Sequence, residues 1–135
     1  MPRFPKFEKG RKSGLEVKVT KQLDNSGVDY GYETMKLTYE VPSRKAKYTP
    51  DFVFPQSNIV IETKGYFRSA AERQKMVHVK KANPDLDIRF VFQKANKPIY
   101  KGSPTSYSKW CDDNGFAWAD NGIIPDEWLK EIENG

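Results

Sequence analysis

The sequence predicts an α/β fold, a small mixed β-sheet flanked by helices, in one domain. Two kinds of segment carry that expectation. One set shows helical spacing behind capping signals, as in residues 13–27 and 69–82. The other set is short, apolar and of strand length: Asp51–Phe54, Ile59–Lys64 and Ile88–Phe92. A chain of 135 residues with 37% hydrophobic and 13% aromatic content can build one core of useful size.

Taken in order, residues 1–12 carry Arg3, Lys6, Lys9, Arg11 and Lys12 against Glu8 and read as a flexible basic arm. Residues 13–135 then form the domain. Ser13-Gly14-Leu15-Glu16 has capping-box spacing, Leu15, Val19 and Leu23 follow at i+4 steps, and Gly27 is a natural stop. Glu16 thus has a structural role as the partner of Ser13, and a catalytic role is open if the helix packs across the sheet. Val28 to Val41 reads as a strand with Tyr30, Tyr32, Met35, Leu37 and Tyr39 among polar residues, ended by Pro42. Residues 43–49 read as a basic connector. Ser69-Ala70-Ala71-Glu72 is a second capping box, and its helix runs to about Ala82 before Asn83-Pro84. Within Lys101–Tyr107, Ser103 as cap and Pro104 at the first helical position predict a helix ending near Gly115. Its amides, with Lys101 and the hydroxyls of Ser103, Thr105 and Ser106, could hold a phosphate, or could be ordinary capping. Phe116–Ala119 reads as a short strand, and Pro125 starts a last helix.

Composition excludes several classes. No apolar run approaches the ~20 residues of a membrane helix, and Met1–Lys6 lacks the apolar stretch of a signal peptide. The single Cys111 allows no internal disulfide and fits a reducing compartment. With no His near it in sequence, it reads as core. The lone His78 reads as a surface or half-buried residue, not a ligand. The net charge of +5 is unevenly placed. Residues 111–135 hold seven acids against Lys130, which leaves residues 1–110 with a net of +11. A basic body suits a polyanion such as nucleic acid, or is simply a solvated surface.

The chemistry concentrates in the two strands around Pro55–Asn58. A four-residue turn there pairs Phe54 with Ile59, so Val53 opposes Val60, Phe52 opposes Ile61 and Asp51 opposes Glu62. Side chains alternate, so Asp51, Val53, Val60, Glu62 and Lys64 share a face. Directly opposed Cβ atoms lie roughly 4.5–5.5 Å apart, and two carboxylates at that spacing repel unless a cation sits between them. With a lysine two residues on, the arrangement predicts a Mg²⁺ site with an amine that orients or deprotonates water.

Pro50-Asp51 followed by Glu62-Thr63-Lys64 resembles the core of the PD-(D/E)xK nucleases. Five segments in register extend the resemblance: Ser13–Glu16, Tyr48–Phe52, Glu62–Gly65, Leu86–Arg89 and Tyr100–Tyr107. Together they are similar to the phage endonuclease I family of podoviruses, Holliday-junction resolvases of that superfamily, over about residues 11–130. The resemblance implies a homodimeric, junction-selective DNA endonuclease in the host cytoplasm, with no organic cofactor. It implies Mg²⁺ or Mn²⁺, two ions per site, and a catalytic set of Glu16, Asp51, Glu62 and Lys64. In this scheme Asp51 bridges the metals, Glu62 and the Thr63 carbonyl complete one site, and Glu16 contributes to the other. It further implies an intertwined, domain-swapped dimer whose bridging strand matches residues 40–49, so that a site takes Glu16 from one subunit and Asp51, Glu62 and Lys64 from the other. Basic and hydroxyl residues expected on DNA are Arg11, Lys12, Arg44, Lys45, Lys47, Arg68, Lys101, Ser103, Thr105 and Ser106. Two departures stand out. A well-studied member carries an acid where Gly31 stands here, and its basic C-terminal tail is replaced by Glu131–Gly135. Two rival expectations are a restriction or repair nuclease acting on linear or mismatched duplex, and a non-catalytic DNA-binding protein.

Overall fold

The structure, a computed structural model, describes residues 14–41 and 44–135, and at positions 40, 41, 44 and 45 the backbone alone. The N-terminal arm, including Arg11 and Lys12, and the cap at Ser13 lie outside the described residues. Helix α1 (Gly14–Ser26) buries Leu15, Val19 and Leu23 on one stripe. Gly27 ends it at φ 77°, a left-handed conformation that costs glycine nothing.

The expected single strand from Val28 to Val41 is instead two strands in two sheets, β1 (Gly31–Tyr32) and β2 (Leu37–Val41). The break falls at Glu33, whose φ of 52° lies in the left-handed region and takes the chain out of the first sheet. The expected basic connector also holds a strand, β3 (Arg44–Tyr48), which returns antiparallel along β2 from Val41↔Arg44 to Leu37↔Tyr48. Ala46 and Tyr48 are buried while Lys47 between them is exposed. The stretch therefore has strand periodicity, hidden by its lysine content.

β4 (Phe52–Val53) and β5 (Ile59–Lys64) pair in the expected register, Phe52↔Ile61 and Val53↔Val60. Helix α2 (Ala70–Ala82) then crosses to β6 (Asp87–Phe92), which lies parallel to β5. Ser69 caps α2 by accepting from the Glu72 amide, as its sequence indicates. Helix α3 (Tyr107–Asn114) leads to β7 (Ala117–Ala119), parallel to β6, and α4 (Asp126–Asn134) follows. The cap of α3 is Ser106 rather than Ser103. Ser103 Oγ accepts from the Thr105 amide at 3.0 Å and the Ile99 amide donates to the Thr105 carbonyl at 2.9 Å. Pro104 therefore sits in a chain reversal before the helix begins.

The result is a mixed five-stranded sheet in the order β1-β4-β5-β6-β7, with β2–β3 as a separate pair. Helices α2 and α3 and the β2–β3 pair cover one face, where Phe67, Met76, Val79, Phe90, Phe92, Tyr107 and Cys111 pack. Helices α1 and α4 cover the other, with Phe52, Ile61, Val91, Trp128 and Ile132. Arg89 of β6 pins α4 to the sheet through Glu131 at 2.9 Å and by lying over the Trp128 ring, and is itself held by Asp87 of its own strand at 2.7 Å. Part of the acidic C-terminal charge is thereby paired within the fold.

Candidate active site

The β4–β5 hairpin places Asp51 opposite Glu62 because its register is fixed by buried Phe52, Val53, Val60 and Ile61 on both faces. Asp51 is half-buried, and its Oδ2 accepts from the Thr63 amide at 2.9 Å and from Thr63 Oγ1 at 2.7 Å. Glu62 is only 6% exposed. Its Oε1 accepts from the Tyr48 hydroxyl at 2.5 Å and its Oε2 lies 3.3 Å from Lys64 Nζ. Lys64 also donates to Glu72 of α2, so the amine is held between two carboxylates.

Glu16 and Glu33 complete the acidic side. The first turn of α1 brings Glu16 to the end of β4, where the Tyr32 hydroxyl donates to it. Glu33 is held by its amide, which donates to the Asp51 carbonyl at 3.0 Å, and by its left-handed backbone. Residues kept in that region often mark functional positions. One carboxylate oxygen each from Glu16, Glu33 and Asp51 lie within 4.8 Å of one another.

The electrostatics match that crowding. Burial, then the Glu62 charge, pushes the Asp51 carboxyl up to about 8, against the opposing bonds from Thr63. Burial likewise raises Glu62, opposed by Lys64 and Tyr48. The Tyr48 hydroxyl is raised by burial and by Glu62, which keeps it a proton donor. Carboxylates this close and this dry need protons or a cation. The donors are all oxygen, so the set fits a hard divalent ion such as Mg²⁺ or Mn²⁺.

All four residues of the expected catalytic set therefore meet at the end of the β4–β5 hairpin. Glu16 reaches Asp51 within one chain. Glu33, Tyr32, Tyr48 and Glu72 are not among the site residues the sequence indicates. Glu72 is legible only as a helix cap, and Tyr48 belongs to the Tyr48–Phe52 segment without any signal of its bond to Glu62. Glu33 depends on a backbone conformation that no spacing signals. Among the expected DNA contacts, Lys47, Arg68 and Lys101 are exposed. Arg44 and Lys45 lie on β3, their side chains outside the described residues. Ser103 and Ser106 are half-buried and engaged in the turn and the cap, and Thr105 is half-buried beside them.

Comparison with known proteins gives the family. The family model described as phage endonuclease I matches residues 5–135. Endonuclease I of Escherichia phage T7 is 45% identical over 120 residues, 89% of this chain and 78% of the relative. Endodeoxyribonuclease 1 of Enterobacteria phage T3 is 44% identical over 120 residues, 89% of this chain and 77% of the relative. With a match across nearly its whole length, the chain belongs to the phage endonuclease I family.

Proposed function

We propose that the protein is a metal-dependent DNA endonuclease of the PD-(D/E)xK type that resolves four-way junctions and other branched DNA as a homodimer. The observation that carries the reading is the pair of half-buried Asp51 and buried Glu62 with Lys64 beside it, in a chain of an endonuclease family whose residues 1–110 carry a net of +11. The T3 relative's name makes DNA the simplest substrate, and a phage origin puts the reaction in the cytoplasm of the host.

Glu16, Asp51, Glu62 and the Thr63 carbonyl, with Glu33 added, would hold two ions of Mg²⁺ or Mn²⁺. When bound, such ions stabilise charge on the phosphate oxygens and lower the pKa of water. Lys64 orients or deprotonates the water that attacks the phosphate in line. Glu72 and Glu62 hold the Lys64 amine in place, Tyr48 fixes Glu62 and Tyr32 fixes Glu16. The products are a 5′-phosphate and a 3′-hydroxyl. No His or Cys nucleophile enters the scheme, and Cys111 is buried in the core.

Selectivity for branched DNA follows from shape, with Lys and Arg gripping the backbones of more than one arm. Affinity should therefore fall steeply with salt, by roughly 0.9 log unit per neutralised phosphate per log unit of salt. Deleting residues 1–11 should make that slope shallower. An unchanged slope would leave the arm without a DNA contact. The reading itself is tested by competition binding of Asp51→Asn protein to a four-way junction against a linear duplex of the same sequence. Preference for the junction is expected. Equal affinity would favour a nuclease of linear or mismatched duplex.

The homodimer proposed here is an exchanged one. If the chain ran straight on from β2 instead of reversing into β3, residues 14–41 would dock on a second copy through the same contacts. Each site would then take Glu16 and Glu33 from one subunit and Asp51, Glu62 and Lys64 from the other. Refolding Glu16→Ala chains with Glu62→Ala chains tests this. With shared sites, one site collects both defects and the other none, so the heterodimer nicks one strand of a junction. A folded, junction-bound but silent heterodimer would exclude the exchange and leave the nuclease reading standing.

A further inference from the structure

The loop after Lys64 carries a feature that the hydrolysis scheme does not use. Tyr66 is 70% exposed, two residues beyond Lys64 and so at most about 7 Å from it along the chain. Lys97 Nζ stands 4.6 Å from the centre of its ring, so one face carries a cation while most of the side chain is open to solvent. Tyr100 is 55% exposed on a second loop, the one between β6 and α3.

The two loops are tied from beneath. Arg73 of α2 is buried, and its Nη1 donates to the Phe67 carbonyl at 2.9 Å and to the Ile99 carbonyl at 3.2 Å. Phe67 and Ile99 are the neighbours of Tyr66 and Tyr100, so one guanidinium fixes both loops against each other. Phe67 itself is fully buried against Phe90 and Trp110. The exposed rings thus stand on a rigid base, flanked by exposed Arg68 and Lys101. A fixed aromatic with a cation on one face and further cations around it suits a partner that is both flat and anionic, and a nucleotide is both.

We propose that Tyr66, backed by Lys97, is a stacking platform for a base exposed at the branch point of DNA, with Tyr100 as its neighbour on the second loop. Coaxial stacking is interrupted where arms meet, so a base face is open there and is covered along a continuous duplex. The platform would therefore add affinity for branched DNA only, next to the scissile phosphate. The inference rests on the branched-DNA reading above and names the contact by which the branch is felt.

The test uses Tyr66→Leu, Tyr66→Phe and Lys97→Gln in the cleavage-dead Asp51→Asn protein. Affinities for a four-way junction and for a matched linear duplex are measured without divalent metal, together with the fluorescence of 2-aminopurine placed at the branch. Tyr66→Leu should lose about tenfold in junction affinity, within the range of one base–aromatic stack, and leave duplex affinity unchanged. Tyr66→Phe should restore junction binding, and quenching of 2-aminopurine should be present with Tyr66 or Phe and absent with Leu. Lys97→Gln should weaken junction binding by a smaller factor. Unaltered junction affinity and quenching in Tyr66→Leu would overturn the proposal, as would equal losses on junction and duplex or a change in oligomeric state. Failure of the parent protein to prefer the junction would instead count against the branched-DNA reading, so the two failures are distinguishable.

Discussion

Asp51→Asn should lower the cleavage rate at least about 10³-fold, beyond the 10- to 100-fold that loss of a ligand's hydrogen-bonding partner costs. Junction binding should stay intact or tighten, because a negative charge leaves a phosphate-binding surface. The asparagine Oδ1 can still accept from the Thr63 amide and hydroxyl, so the hairpin keeps its geometry. The same substitution has a signature in stability. The Asp51 carboxyl titrates near 8 in the fold, up from its ordinary value of 3.8. The folded state thus holds that proton more tightly than the unfolded chain. Metal-free protein gains this stabilisation fully below about pH 4 and loses it as pH rises through about 8. Asp51→Asn removes the titration, so at pH 8 with chelator the variant should melt above the parent, and the gap should close towards pH 4. Because the ion competes with that proton, Mn²⁺ affinity of the parent should rise with pH over the same range. Melting curves across pH, with chelator and with Mn²⁺, read both effects. A variant that cleaves normally, or that melts below the parent at pH 8, would remove Asp51 from the metal site.

Lys64→Met should be the second large loss, about 10²- to 10⁴-fold in kcat, the range for a positioned proton-transfer group. Methionine keeps the aliphatic stem of this half-buried side chain but leaves Glu62 and Glu72 facing each other without a cation. Some stability is therefore lost for electrostatic reasons. Pairing Lys64→Met with Glu72→Gln relieves the repulsion and separates catalysis from folding. Glu72→Gln alone keeps an acceptor for the amine and should cost about tenfold in kcat with KM unchanged. Mn²⁺ binding should survive in all three variants. Wild-type turnover in a folded Lys64→Met protein would end its assignment.

The hairpin that bears the site was legible in the sequence because its register is forced. A one-residue slip would turn Phe52 and Ile61, or Val53 and Val60, out of their cores. Given that register, Asp51 opposite Glu62 follows from the pleat alone. By spacing Glu16 is legible only as a capping-box acid; the family resemblance adds it to the catalytic set, and the packing of α1 against the sheet sets it beside Asp51 within one chain. The strand β3 is hard to see in the sequence because four of the seven residues at 43–49 are basic or serine, and its apolar alternation rests on Ala46 and Tyr48. The left-handed Glu33 splits what periodicity presents as one strand, and it does so without a glycine to announce it. The sequence leaves the cap of α3 between Ser103 and Ser106, because both serines precede plausible helix starts. What separates them is the chain reversal closed by Ile99 and Thr105.

Cleavage of branched DNA by a carboxylate–lysine site with a divalent ion is tested by incubating the purified protein with a four-way junction and a linear duplex of the same sequence, in Mg²⁺ and in chelator, with product ends analysed. Paired cuts are expected in the junction in Mg²⁺, leaving 5′-phosphates, with the duplex largely intact and no cleavage in chelator. Cleavage that persists in chelator, or equal cutting of junction and duplex, would contradict it.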